Sequence, residues 1–268
     1  MPPVRGDHVS QDLLTVGSII EAFPTRRGAA NLADVWRATP DAGAGPMRIR
    51  ATRLEDCAAI RGLQRASQPY ATPWTVKQLE SQIHVFPEGQ SVAVCDGHVV
   101  GAAASLIVNW EEYAIDHTWK SITSDGYFTA HDEHGRTLYA AEPVADASRH
   151  GFGIARALYQ SQRRLTRQRN LRRIITTARL PGYSASRSAM SAELYAMRVI
   201  WGDIADPSMR FKMGQGFQYC GILHHYMPED AESCGNAALL AWLNPLYSPP
   251  GPPAYMAPER QPRQLKSA

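Results

Sequence analysis

The stretch Arg149-His150-Gly151-Phe152-Gly153-Ile154-Ala155-Arg156 stands between a β-rich run and a long amphipathic run, where its glycines would open a helix. The first N–H groups of a helix have no acceptor inside it and carry the positive end of the helix dipole, so such a turn can hold phosphate. Glycine there lets a ligand approach the backbone closely. A glycine pattern of this kind also serves a plain tight turn, and the surrounding residues must decide between the two.

Two well-known phosphate sites do not fit. A dinucleotide fingerprint needs a third Gly or Ala where Arg156 stands, and an acidic residue near the end of the next strand; that strand reads Arg173-Ile174-Ile175-Thr176-Thr177-Ala178-Arg179. A P-loop needs Gly-Lys-Ser or Gly-Lys-Thr after the glycines. An NAD-dependent oxidoreductase is therefore disfavoured.

The elements around the motif follow from periodicity and turn chemistry. Met47 to Arg53 alternates as a strand, and Thr52 to Glu55 has the spacing of a capping box opening a helix with Cys57, Ile60 and Leu63 inward. A second box, Thr75 to Gln78, opens a helix expected to bury Val76, Leu79 and Ile83. Ser91 to Cys95 and Val99 to Val108 read as strands joined by Asp96-Gly97, a strong hairpin signal because both residues tolerate positive φ. Thr137 to Val144 reads as a strand, Gly151 to Asn170 as a helix and Leu171 to Ala178 as a strand, which implies a parallel pair with a right-handed crossover. Helices are expected near Ser191 to Trp201, Pro207 to Met213 and Asn236 to Leu243, and a strand from Phe217 to Tyr226. The fold class is α/β (α+β).

In the helix after the glycines, Ile154, Leu158, Ser161 and Leu165 form one stripe, while Arg156, Arg163 and Arg167 fall on the other side, expected to face water. Ten arginines lie between Ala147 and Ala192 with no Asp or Glu. They either attract the phosphates of a ligand or make a solvated face. No aromatic residues alternate with them as a base-stacking platform would require, so nucleic acid is disfavoured as a partner.

The rest of the composition is permissive. The 268 residues carry a net charge of +3, too little to name a partner. Cys57, Cys95, Cys220 and Cys234 are far apart, with neither a CxxC pair nor a nearby His at ligand spacing, so reduced, mostly buried thiols and no metal site are expected. With no signal-like start and no long apolar run, a cytoplasmic location without membrane contact is expected. Residues 1–46 read as a flexible extension, 47–244 as the folded domain, and 245–268 as a Pro-rich basic tail.

Together, the order of elements and the stretch His150-Gly151-Phe152-Gly153-Ile154-Ala155 resemble the GNAT superfamily of N-acetyltransferases, whose glycine pattern cradles the pyrophosphate of coenzyme A. More narrowly, Phe86-Pro87-Glu88-Gly89-Gln90, His117-Thr118-Trp119-Lys120, Asn170-Leu171-Arg172-Arg173-Ile174, Pro181-Gly182-Tyr183 and Trp242-Leu243-Asn244-Pro245 look like the acetyltransferase module that precedes a carbon-nitrogen hydrolase (nitrilase-like) domain in some bacterial proteins. The resemblance covers about residues 47–245, and a free-standing version is expected. Two positions depart from the family: His150 replaces the usual Arg or Gln, and Lys212 stands where many members carry a tyrosine that protonates the departing thiolate.

The resemblance implies a mixed, mostly antiparallel sheet with a splayed parallel pair and helices on both faces. It implies acetyl-CoA as co-substrate, held by Pro143, Val144, Ala145, Arg149, His150, Gly151, Phe152, Gly153, Ile154, Ala155 and Arg156, and direct transfer to a small-molecule or protein amine. Glu142, just before the turn, is the candidate base, equally readable as a strand-edge ion pair. Tyr183 and Tyr195 are alternative acids. His224, His225 and Tyr226 are expected to end the last strand, with His225 a candidate proton carrier. Trp110, Tyr113 and His117, in an aromatic insertion from Trp110 to Gly135, either wall the acceptor pocket or cover the sheet. A homodimer is left open, and the alternative function is a catalytically weak acyl-CoA-binding sensor or assembly module.

Overall fold

The structure, a computed structural model, describes residues 47–113, 117–141, 143–149 and 152–250. In chain order its elements are β1 (Arg48–Ala51), α1 (Cys57–Ser67), α2 (Val76–Val85), β2 (Ser91–Cys95), β3 (His98–Ala103), β4 (Ser105–Val108) and α3 (Trp119–Thr123). There follow β5 (Thr137–Ala140), β6 (Val144–Ala145), α4 (Ile154–Gln168), β7 (Arg173–Arg179), α5 (Tyr183–Ser186), α6 (Ala192–Trp201), α7 (Pro207–Gly214), β8 (Gln218–Leu223) and β9 (Ala237–Leu243). This is a mixed α/β fold.

The strands form two sheets, ordered β1-β2-β3-β6 and β4-β5-β7-β9-β8. All neighbours are antiparallel except β5 and β7, which run parallel from Thr137↔Arg173 to Tyr139↔Ile175. The Asp96-Gly97 turn closes the β2–β3 hairpin with φ of 50° and 79°, the backbone those residue types favour.

Two expected strands are each divided between the sheets. The run Val99 to Val108 breaks at Ala104, and Thr137 to Val144 breaks between Ala140 and Val144. At the break, the N–H of Ala141 donates to the Ala104 carbonyl (3.0 Å). Pro143, having no N–H to give, suits a place where a ladder is abandoned.

Each face of the sheets is covered. Helices α1 and α2 bury Cys57, Ile60 and Leu79 against Val92, Ala102 and Val144. The opposite face of that sheet receives Ile154 and Leu158 of α4. On the second sheet, Tyr159 of α4 joins Tyr195 and Val199 of α6 and Met209 of α7 over Leu138, Ile174 and Leu240. Its other face is covered by Trp110, Ile122 and Phe128 of the aromatic insertion, packed on Leu106, Tyr139 and Leu239.

Several local expectations are corrected. Asn236 to Leu243 is not a helix: residues 237–243 form β9, the strand between β7 and β8. The box at the first helix is shifted by one residue, Asp56 accepting from the Arg53 N–H (2.8 Å) while forming a two-pronged ion pair with Arg50. The Thr75–Gln78 box is present as expected, but Val76 is exposed. In α4 the buried residues are Ile154, Leu158, Tyr159, Gln162 and Thr166.

The arginine face of α4 is not simply solvated. Arg163 lies over the rings of Phe217 and Trp242 and donates to the Gln215 carbonyl, and Arg167 also lies over Trp242. Burial pushes the Arg163 guanidinium below its ordinary value. Arg169 pairs with Glu88, Arg173 donates to Thr137 Oγ1 (3.0 Å), and Arg179 grips Asp230. The arginine-rich stretch therefore serves largely to tie α4 and β7 to their neighbours. None of the four cysteines forms a disulfide; Cys57 and Cys95 are buried and Cys220 and Cys234 only partly so.

Candidate functional site

The division of the sheet makes the site. Beyond Tyr139↔Ile175 the parallel strands part: β6 turns to pair with β3 through Ala102↔Val144 and Gly101↔Ala145, while β7 continues along β9 to Arg179↔Ala237. The Ala140 carbonyl accepts from the Thr176 hydroxyl (3.0 Å), so a side chain ends the ladder at the point of separation. Past that point the edges of β6 and β7 no longer serve one another, and a chain inserted between them can use their backbone groups.

Next to the gap lies the turn into α4. Asp146 organises it: its N–H donates to the Val100 carbonyl (2.9 Å), and its Oδ1 accepts from the Ser148 N–H (3.0 Å) and hydroxyl (2.7 Å). Those Ser148 bonds hold the Asp146 carboxyl below its ordinary value. Arg149 is anchored beside it, 3.8 Å from Asp146 and 3.5 Å from Cys95 Sγ. His150 and Gly151 lie outside the described residues.

Gly153 is the N-cap of α4, at φ 72° and without a side-chain cap. A Cβ at Gly153 would meet nothing within 4 Å, so the space before it is open. The first helical bond at this end runs from Ala157 N–H to Gly153 O (2.9 Å), leaving the amides of Ile154 and Ala155 without acceptors in the helix. Phe152 is exposed and Ile154 is core. An open, uncapped helix start beside separated strands fits a phosphate-bearing ligand with an extended arm.

On the opposite face, under α1 and α2, a narrow cleft reaches the same separation. It is lined by Thr52, Ile60, Gln64, Trp74, Leu79, Gln82, Ile83, Gln90, Val144 and the three alanines 102–104. Among the described residues no charged side chain lines it. Gln64 Oε1 accepts from the Trp74 N–H (3.1 Å), and Gln82 Nε2 donates to the Gly126 carbonyl (2.7 Å).

The remaining expected residues are placed as follows. Glu142 lies outside the described residues. Trp110 and His117 are buried in the core over the second sheet, with Trp110, Tyr113 and Tyr226 edge-on to the His117 ring at 5.3, 6.0 and 5.8 Å; none of them lines the cleft. The strand expected to run to Tyr226 ends at Leu223, so His224 and His225 stand in a turn instead of on opposite faces of a strand. His225 is exposed, with φ 53°, and His224 bonds Glu193 and Asn236. Tyr183 packs edge-on to Tyr195. Tyr195 donates to Asp206 (3.1 Å) and is pushed up to about 12 by burial and by that carboxylate.

Lys212 is buried, and its Nζ donates to the Thr177 carbonyl of β7. Thr177 follows Thr176, which closes the parallel ladder, so an amine stands at the edge of the separation. Gln90 and Asp146 had no assigned role in the sequence. Asp146-Ala147-Ser148 has the spacing of a side-chain turn and could have been noticed; Gln90 gave no local signal, because its surroundings come from residues distant in sequence. Among the described residues no group of three or more His, Cys, Asp or Glu could hold a metal ion, and no helix is long and apolar enough to cross a membrane.

No family model matches the chain. It is 35% identical over 203 residues to the probable hydrolase YhcX of Bacillus subtilis (strain 168), a match covering 76% of this chain and spanning only about 40% of that relative's length. It is 32% identical over 205 residues to the uncharacterized N-acetyltransferase YkwB of the same organism, covering 75% of this chain and 90% of the relative. Two solved structures share the architecture. The loading GNATL domain of CurA from Lyngbya majuscula has a TM-score of 0.65 at 18% identity, over 75% of this chain and 98% of that one. The GphF GNAT-like decarboxylase in complex with isobutyryl-CoA has a TM-score of 0.62 at 19% identity, over 74% and 99%.

Proposed function

The chain belongs to the GNAT superfamily of N-acetyltransferases, and on that premise we propose that it moves an acetyl group from acetyl-CoA to an amine by direct transfer. The observation that carries this reading is the pairing of the uncapped start of α4 with the separation of β6 from β7. The amides of Ile154 and Ala155 would hold the pyrophosphate beside Arg156, with Gly153 leaving room for it. Backbone groups of Pro143, Val144 and Ala145 would face the pantetheine arm, and the cleft under α1 and α2 would admit the acceptor.

In such a transfer the amine nitrogen attacks the thioester carbonyl carbon, a C–N bond forms, the C–S bond breaks, and the thiolate leaves. Holding both reactants at the separation supplies orientation. Glu142 is the candidate to take the amine proton. Lys212, whose Nζ stands at the end of the parallel ladder, is a donor suited to the thiolate; Tyr183 and His225 have less support, one packed on Tyr195 and the other exposed in a turn. The match to part of a probable hydrolase supports reading this chain as a module that elsewhere is joined to a hydrolase domain.

Calorimetric titration with acetyl-CoA, CoA and NADH tests the reading. Binding of the two CoA species alone is expected, followed by thiol release from acetyl-CoA in the presence of amines. Binding of NADH alone, or of none of the three, would sink it; CoA binding without thiol release across amines would leave a sensor or assembly module.

A further inference from the structure

Gln90 is 3% exposed and lines the cleft under α1 and α2. Its main chain is fixed by the Thr52 N–H, which donates to the Gln90 carbonyl (3.0 Å). Its side-chain Nε2 donates to two backbone carbonyls, Phe86 and Ser105, each at 2.9 Å. An amide nitrogen has two hydrogens, and both are used, so the orientation of the group is set. Its Oε1 is then an acceptor, buried and without a hydrogen-bond partner. Such a group is costly to bury unless something donates to it.

We infer that Gln90 Oε1 receives an N–H of the acyl acceptor, and that the cleft selects amines that are uncharged near neutral pH. The inference rests on the acyltransfer reading and specifies its substrate class. Among the described residues the lining is apolar or neutral amides and one hydroxyl, with no carboxylate beside Gln90 to offset an ammonium. Taking an unpaired ammonium into such a place is costly, whereas a neutral amine needs one acceptor for one N–H. The cleft is partly open, and its space of about 20 Å³ admits one small group such as an amino nitrogen. A weakly basic amine arrives already neutral; a strongly basic one is diluted about tenfold for each pKa unit above the working pH.

Methoxyamine and ethylamine have nearly the same shape and differ greatly in basicity. The test measures thiol release from acetyl-CoA with each amine near neutral pH, after subtracting the uncatalysed rate, for the full chain and for Gln90→Met and Gln64→Glu. Acetyl-CoA affinity is measured alongside by calorimetry. Wild type is expected to favour methoxyamine by at least about tenfold in kcat/KM. Gln90→Met is expected to raise the methoxyamine KM about tenfold, the loss of one bond to a desolvated acceptor, with acetyl-CoA affinity unchanged. Gln64→Glu keeps the oxygen that accepts from Trp74 and adds a carboxylate to the cleft, which is expected to shift preference toward ethylamine.

Preference of wild type for ethylamine, turnover of neither amine despite acetyl-CoA binding, or an unchanged KM in Gln90→Met would overturn the inference, the last meaning that Oε1 is met by ordered water. If Gln90→Met does not fold, the wild-type preference and Gln64→Glu decide. Failure of acetyl-CoA to bind at all would instead remove the acyltransfer reading beneath it.

Discussion

Gly101 on β3 and Ile154 at the start of α4 approach so closely that a Cβ on Gly101 would lie 2.4 Å from Ile154 Cγ2 and 3.1 Å from the Val144 carbonyl oxygen. The helix start that offers its amides is thus seated on a strand that has no side chain at the contact, and the same glycine pairs with Ala145 across the β3–β6 ladder.

Gly101→Val should therefore push α4 away from β3. Overpacking of this kind costs about 1–3 kcal/mol, so the protein should melt earlier and bind acetyl-CoA more weakly. An unchanged melting point together with unchanged affinity would show that the contact relaxes freely.

Gly153→Val addresses the turn itself. The position has φ 72° with open space around it, so a side chain meets no neighbour but strains the backbone by about 1–2 kcal/mol, with β-branching adding to it. The fold should survive with a modest fall in melting temperature, while acetyl-CoA binding is lost because the approach to the amides is blocked. A folded variant that keeps its affinity would remove the glycine turn from the site.

Arg179, at the end of β7, bonds Asp230 through two nitrogens (2.7 and 2.6 Å), reaches Glu232 (2.7 Å) and lies 3.4 Å over the Tyr70 ring. Burial works against the ionised Asp230, but its bonds from Arg179 and Ser233 outweigh this and hold the carboxyl below its ordinary value. Arg179→Ala would leave that carboxylate buried and unpaired, at a cost of about 3–5 kcal/mol. Denaturant unfolding should show the loss, with Arg179→Lys intermediate because one ammonium cannot replace the fork.

His131 stacks on Phe86 with centroids 4.4 Å apart, and its Nδ1 accepts from the Ile107 N–H (3.0 Å). Burial pushes the imidazole below its ordinary value despite Asp132 and Glu133 nearby. The folded state thus resists a proton that the unfolded chain accepts from about pH 6.5 downward. Its stabilising contribution is present above that pH and is lost as pH falls through the lowered folded value. Melting curves between roughly pH 5 and 8 should show this slope, and His131→Asn, which keeps an acceptor without the titration, should flatten it. Equal slopes in the two proteins would assign the effect to other groups.

The residues that could be read locally were those whose neighbours in sequence are also their neighbours in space. The Thr75–Gln78 box, the Asp96-Gly97 hairpin and the strand, helix, strand order around Gly153 all depend on contacts within a few positions. Asn236 to Leu243 misled because alanine and leucine favour helices, yet lying between β7 and β8 its residues 237–241 are buried on both faces of a central strand. Arg163 misled for a related reason: spacing put it opposite the apolar stripe, and Phe217 and Trp242, distant in sequence, came to cover it.

The amino-acid sequence by itself determined the glycine turn, the helix it opens and the parallel pair on either side, because those follow from backbone preferences and apolar periodicity. Only the tertiary structure decided that the pair separates after Tyr139 and Ile175, that Lys212 reaches Thr177, and that Gln90, beside the cleft, keeps a buried acceptor without a hydrogen-bond partner. Each of these depends on hydrogen-bond partners far away along the chain, for which no local periodicity or turn signal exists.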